Sequence, residues 1–397
     1  MADPPSTLTA SPSPRSQPPA SLTESAGRID ALDILRGLAV LGMIVVHFHQ
    51  RMRLEVTGPE DLIGWGVWML IEQKSWGTFA FLFGVGFALF LRGLEARRQP
   101  VVPIYLRRLA ALAAFGVVAE VVFGFNILFE YACWGLVLLL VRRWPSRALL
   151  ALALVAVCAR PLATWWAGAP VPPPHAALAG AVGTAASGQH YLPLLAARWA
   201  LFRANVPDTW PELLPDANLA LFLVGLLAMR HGVIDAPRAH RRLMLGAMAY
   251  GALVWTAWWT VLRPLADEAT AGRSALLRGF GFFDDRWLCL TYIGAVLLLL
   301  AYRPAWTRRL ALFGQAGRMA LTNYIAQVAI VDLLASGYGA GLRLRPLLYL
   351  PAGVLLFTLL ALGSRAWLAR FRMGPLEWAW RCVTYARRQP LARTRAG

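Results

Sequence analysis

The sequence predicts an all-α fold, a polytopic membrane helical bundle of about ten transmembrane helices with a C-terminal interfacial helix. Hydrophobic residues make up 58% of the 397, charged residues only 15%, and the mean hydropathy is +0.52, which a soluble domain of this length has little means to hide. Apolar runs recur near 30–50, 74–92, 103–123, 125–141, 147–167, 214–230, 242–262, 286–302, 318–336 and 346–369, each close to the ~20 residues a bilayer crossing needs. The basic excess, +18 at pH 7, lies in short connections between these runs, a pattern of membrane topology and not of nucleic-acid binding. The expected surroundings are therefore a lipid bilayer, with no nucleic-acid partner.

Residues 1–27 are rich in Pro, Ser, Thr and Ala without an apolar signal core, which predicts a disordered cytoplasmic leader. Residues 28–373 form the transmembrane bundle. Arginines alternate along it. Arg92, Arg97, Arg98, Arg107 and Arg108 follow the second run, Arg142, Arg143 and Arg147 the fourth, Arg230, Arg238, Arg241 and Arg242 the sixth, and Arg303, Arg308 and Arg309 the eighth. The intervening connections are arginine-poor or balanced by acids, as with Asp267, Glu268, Asp284 and Asp285. The positive-inside rule then puts both termini in the cytoplasm of a multi-pass inner-membrane protein. The longest connection, about 168–213, opens with the Pro-rich segment 169–174 and continues through a candidate surface helix around His190–Arg203. Residues 374–397 are too polar to cross; Leu376, Trp380 and Val383 recur at helical spacing beside Arg381, Arg387 and Arg388, which suits a helix lying in the inner interface. Cys133, Cys158, Cys289 and Cys382 are scattered without CxxC or Cys/His spacing, so neither a disulfide framework nor a metal site is expected.

The first run carries ionisable groups within its length. Arg36 and His47 are eleven positions apart, roughly three turns plus 20° and about 16 Å of rise on a helix, so they share a face. Asp33 falls on the same stripe, while His49 points nearly opposite. A lipid-facing Asp–Arg–His stripe is expensive, and the face should look into a bundle interior or a watery cavity. Lys74 is the one lysine among 39 basic residues and reads either as a wanted ammonium or as a chance survivor. Glu120 and Glu130 read as partners of arginines or as proton carriers. Gly84 and Gly86 sit in an all-apolar helical stretch and read as close helix packing, not a nucleotide loop.

Four blocks carry a resemblance: Arg28-Ile-x-Ala-Leu-Asp33-Ile-Leu-Arg36-Gly37; Lys74 to Gly86 with Phe79-Ala-Phe-Leu-Phe-Gly84-Val-Gly86; Gly317-Arg318-Met-Ala-Leu-Thr-Asn323-Tyr324; and Gly374-Pro-Leu-Glu377-Trp-x-Trp-Arg381. Together they resemble the YeiB-like family of bacterial inner-membrane proteins, within the wider group of transmembrane acyltransferases. In the branch that O-acetylates surface polysaccharides, an Arg, ten residues and a His mark the active site, the spacing of Arg36 and His47. YeiB-like proteins usually carry Asn at the position of His47. Their His-Gly pair and Gly-Asp-Ile-Leu string are replaced here by Ala119-Glu120 and Phe125-Asn126-Ile127-Leu128.

The resemblance implies transfer of an acyl group, acetyl first among them, from cytoplasmic acyl-CoA to a hydroxyl or amine of a small-molecule or glycan acceptor outside the membrane, without a metal. On that reading His47 is the general base, and Arg36, oriented by Asp33, holds the donor's phosphates. Asn323 is the oxyanion donor, with Lys74, Arg318 and Glu377 as further substrate-binding groups. The rival reading is a secondary transporter that uses the same charges as a relay. An Asp33–Arg36 pair that only orients its helix, and a His47 held in a structural hydrogen bond, are the plainer readings of those residues.

Overall fold

The computed structural model describes residues 20–54, 56, 58–125, 127–166, 176–212, 217–268 and 285–393. They are all-helical, without named strands. In order the helices are α1 (Ala20–Met52), α2 (Pro59–Val67), α3 (Gln73–Ala96), α4 (Val101–Val118), α5 (Leu128–Val141), α6 (Ser146–Trp166), α7 (Ala176–Ser187), α8 (Tyr191–Glu212), α9 (Ala217–Arg230), α10 (Arg241–Ala257) and α11 (Arg263–Glu268). They continue with α12 (Leu288–Tyr302), α13 (Ala305–Arg309), α14 (Ala311–Arg318), α15 (Ala320–Ala335), α16 (Tyr349–Arg370) and α17 (Pro375–Tyr385). Helix α1 begins at Ala20, so the last part of the expected leader is helical; the rest of the leader, the Pro-rich segment 169–174 and Asp284 lie outside the described residues.

Among the described residues, five helical stretches are long and apolar enough to cross a membrane: Asp30–Met52, Leu62–Ala96, Val101–Phe123, Arg241–Leu265 and Pro346–Arg370. Of the other five expected runs, 147–167 is the 21-residue α6, and those at 125–141, 214–230, 286–302 and 318–336 are helices of 14, 14, 15 and 16 residues. The second stretch starts twelve residues ahead of the expected run because α2 joins α3 through a π turn, Trp68–Glu72, without leaving the helix. Two further π turns, Ala119–Phe123 and Trp258–Leu262, end α4 and α10. Glu72 accepts a hydrogen bond from Gln50 Nε2 at 2.8 Å and pairs with His49 Nδ1 at 3.4 Å, which occupies His49 on the side of α1 away from His47.

Small residues set the closest packings. A Cβ on Gly84 would collide with the Phe222 carbonyl, and one on Gly225 with that of Phe81, so α3 and α9 meet backbone to backbone. Gly37 abuts the carbonyl of Phe313 and Gly317 that of Asp33, which locks α1 to α14 in the same way. Gly86 differs: nothing lies within 4 Å of the position its Cβ would take.

The arginine-rich connections gather together. Arg92 pairs with Asp235 at 3.2 Å, Arg230 donates to the carbonyls of Arg142 and Trp144, and Arg238 to that of Ala301.

The segment expected as a surface helix is α8, which leaves Leu192 and Trp199 exposed and turns one face, Leu194, Arg198 and Phe202, into the interior. Arg198 of α8 is 3% exposed and Asp332 of α15 is 1% exposed. Arg198 Nη2 donates to Asp332 Oδ1 at 2.5 Å and Nη1 to the Val122 carbonyl at 2.6 Å. Ser336 and Tyr338 hydroxyls complete the carboxylate. Breaking such a pair strands a buried charge. Asp332→Ala should therefore destabilise the protein by about 3–5 kcal/mol, more than the joint replacement Arg198→Met with Asp332→Leu, as read by thermal unfolding in detergent. By the same measurement Gly84→Ala should lower the midpoint and Gly86→Ala leave it almost unchanged, since only the first forces backbones apart.

Candidate functional site

Helix α1 carries a stripe at helical spacing: Asp33, Arg36, Met43, His47, then Gln50 and Arg51. All of them line one of two adjoining cavities. The inner cavity, about 520 Å³, takes Asp33 and Arg36 from α1, Tyr105 and Arg108 from α4, Arg318 at the end of α14, and Arg372, Glu377, Trp380 and Arg381 around α17. The outer cavity, about 250 Å³, takes His47, Gln50 and Arg51 together with Trp76, Phe125, Glu130 and Asn218. Met43, Ile127, Tyr131 and Tyr324 line both, so they form the waist between them.

In the inner cavity Arg36 Nη1 donates to Asp33 Oδ1 at 2.5 Å, the pairing that the i, i+3 spacing predicts. Arg36, Arg108, Arg318, Arg372 and Arg381 outnumber Asp33 and Glu377, so the mouth is strongly cationic. Arg108 stacks 3.7 Å over Trp380, and Trp380 Nε1 donates to the Arg108 carbonyl at 2.8 Å, which fastens α17 across the first half of α4.

Glu377 has a different job. Its Oε1 accepts from the backbone amides of Leu321 and Thr322 at 2.8 and 3.0 Å, and its Oε2 from the Thr322 hydroxyl at 2.6 Å. Leu321 and Thr322 stand in the first turn of α15, where amides lack intrahelical partners. Glu377 caps that turn from another helix, and the positive end of the helix dipole favours its charge. Burial nevertheless raises its pKa, against the lowering effect of the Thr322 and Leu321 hydrogen bonds. The third and fourth sequence blocks are thus held together by one carboxylate.

In the outer cavity His47 is 2% exposed and its Nδ1 has no hydrogen-bond partner among the described residues. Its ring lies 4.2 Å from that of Phe125 and 6.2 Å from that of Tyr324. Arg51, one turn on, donates to the Gly124 carbonyl and rests 4.7 Å over Phe125. Gly124 ends the π turn at φ 75°, and that bend presents both groups to the cavity.

Two expected site residues are not at either cavity. Asn323 is 3% exposed, and its Nδ2 donates to the Ala316 carbonyl at 3.0 Å and to Ser364 Oγ at 2.9 Å. It braces the break between α14 and α15 and does not face the waist. Lys74 is 1% exposed at the start of α3, also away from both cavities. Conversely, Arg51, Arg108 and Tyr131 line the cavities without having been singled out as site residues. Arg51 had a legible signal, a basic residue one turn beyond His47; Tyr131 had none, being one aromatic among many. Asn126 lies outside the described residues. No cluster of three or more His, Cys, Asp or Glu side chains among the described residues is placed to hold a metal ion.

The comparisons with known proteins divide the chain. Residues 28–196 match the catalytic family of heparan-alpha-glucosaminide N-acetyltransferase, and residues 228–387 match the family described as protein of unknown function (DUF418). The uncharacterized protein YxaH of Bacillus subtilis (strain 168) is 30% identical across 92% of this chain and 96% of its own length. The chain belongs to the YeiB-like DUF418 family. A second relative, an uncharacterized 39.9 kDa protein encoded in an amylase 3′ region of Bacillus acidopullulyticus, is 26% identical over the same shares. No solved structure matches. This DUF418 protein is a membrane protein whose first half is acetyltransferase-like, and both matched regions contribute walls to the two cavities.

For this DUF418 protein, Glu377→Ala should cost about 1–3 kcal/mol by orphaning the helix amides, and Glu377→Gln less, since an amide oxygen still accepts from them. The folded state holds the Glu377 proton to a higher pH than the unfolded chain does. Its contribution to stability should therefore fall as pH rises from the ordinary value near 4.5 through the raised one, and level off above it. Thermal unfolding against pH should show this slope in the parent and lose it in Glu377→Gln.

Proposed function

We propose that this protein is an acyl-CoA-dependent membrane acyltransferase, with the donor entering the inner cavity from the cytoplasm and the acceptor meeting it in the outer cavity. The observation that carries the reading is the pair of adjoining cavities strung along one stripe of α1, arginine-rich at one end and holding a buried histidine at the other. Arg36 and Arg318 bind the donor's phosphates as charge-assisted donors. The thioester reaches the waist between Tyr131 and Tyr324. His47, as the neutral imidazole, takes the proton of the acceptor hydroxyl or amine as that atom attacks the thioester carbonyl. The new C–O or C–N bond forms, the C–S bond breaks, and the imidazolium returns the proton to the departing thiolate. Arg51 is the cation nearest the developing oxyanion, the role that Asn323, spent on Ala316 and Ser364, does not fill. Asn323 and Glu377 position the turn that carries Arg318.

The reading places the arginine-rich end in the cytoplasm, as the positive-inside rule requires, and with it both termini. It takes all ten apolar helices as crossings of a bacterial inner membrane. A transporter would use the same charges, but the acyltransferase reading also accounts for the match of residues 28–196 to an acetyltransferase catalytic family.

His47→Asn, which installs the residue usual in YeiB-like proteins, should slow release of free CoA from acyl-CoA in membrane vesicles by roughly 10²–10⁴-fold while the folded yield is kept. A loss of less than about tenfold would remove His47 as the base. Arg36→Ala should weaken acyl-CoA binding at least about tenfold, with less effect on the rate at saturating donor; unchanged affinity would sink the phosphate role.

A further inference from the structure

The inner cavity has two chemistries. Its mouth holds exposed Arg318, Arg372 and Arg381 with half-buried Arg36. Its inward wall is hydrocarbon. Phe79, Leu82, Phe83, Gly86 and Phe87 of α3 line it at positions i, i+3, i+4, i+7 and i+8, one face of a helix extending about 12 Å, and Leu112 stands on the α4 side. Gly86 keeps this wall open, because beyond its own stretch of helix no atom of the described residues lies within 4 Å of where its Cβ would be. An acetyl group leaves such a wall bare, whereas a longer hydrocarbon chain covers it. An anionic head joined to a hydrocarbon chain satisfies both parts at once.

We propose that the donor carries a medium- or long-chain acyl group, with its phosphates on the arginine mouth and its chain lying against the α3 wall, and that Gly86 sets the length accepted. This rests on the acyl-CoA reading above and narrows its acyl group. Before transfer the chain lies back along the apolar wall, and the thioester sits at the waist.

Binding of CoA, acetyl-CoA and octanoyl-CoA to the full-length protein in nanodiscs, with protein-free nanodiscs as the control for partition, tests it. Octanoyl-CoA should bind at least about tenfold tighter than the other two, a conservative expectation when each buried methylene is favourable. Gly86→Leu should erase that preference, because its side chain occupies the space the glycine leaves. Equal affinities for the three in the parent protein would overturn the proposal and leave the acyl-CoA reading standing. Binding of none of them would overturn both. Tight binding of dihexanoyl phosphatidic acid without octanoyl-CoA binding would put a lipid in the cavity and overturn the donor assignment.

Discussion

The close contact of α1 with α14 holds the rest in place. Gly37 and Gly317 have no side chain, and each admits a carbonyl from the other helix, so two backbones meet where any Cβ would hold them apart. The contact brings Asp33 and Arg36 beside Arg318 and fixes the rotation of α1. Once that rotation is set, the stripe through Met43, His47 and Arg51 has one direction in which to face. Glu377 closes the other side by capping α15, which starts two residues after Arg318.

Charge is then distributed by depth. The arginine-rich mouth is exposed, so its guanidinium groups keep much of their hydration until an anion replaces it. The pair Arg198–Asp332 is almost fully buried, with both Asp332 oxygens and both terminal guanidinium nitrogens of Arg198 hydrogen-bonded within the protein, so it is structural. Such pairs are costly to break and of modest net worth when whole. His47 is the contrasting case, a buried polar side chain beside a cavity whose Nδ1 finds no partner among the described residues. Unmet groups of that kind call for an explanation, and a ligand is one.

The three π turns share a logic. Each shifts the register of its helix and redirects the groups beside it: the Glu72 carboxylate toward Gln50 and His49, the Gly124 carbonyl toward Arg51, and the Trp259 ring toward Trp65, Trp68 and Arg263. Such turns are frequent where function needs a side chain off the regular helical register. The second one stands where the sequence departs from the usual YeiB-like pattern, and it supplies the wall facing His47.

Composition and the spacing of apolar runs determined by themselves that this is an all-helical membrane protein, because apolar surface on that scale has only a bilayer to face. Helical periodicity alone put Asp33, Arg36 and His47 on one face, since their angles follow from the pitch. Asn323 and Lys74 show where that reasoning stops: polarity within an apolar run says that a partner exists, and not whether it is a substrate or a neighbouring carbonyl. The lengths of the shorter helices, the joining of α2 to α3, and the anchoring of one face of α8 through Arg198 depended on contacts between segments far apart in the chain. Tertiary structure alone decided that four separate sequence blocks surround one cavity, because register along a helix is local but the neighbour it faces is not.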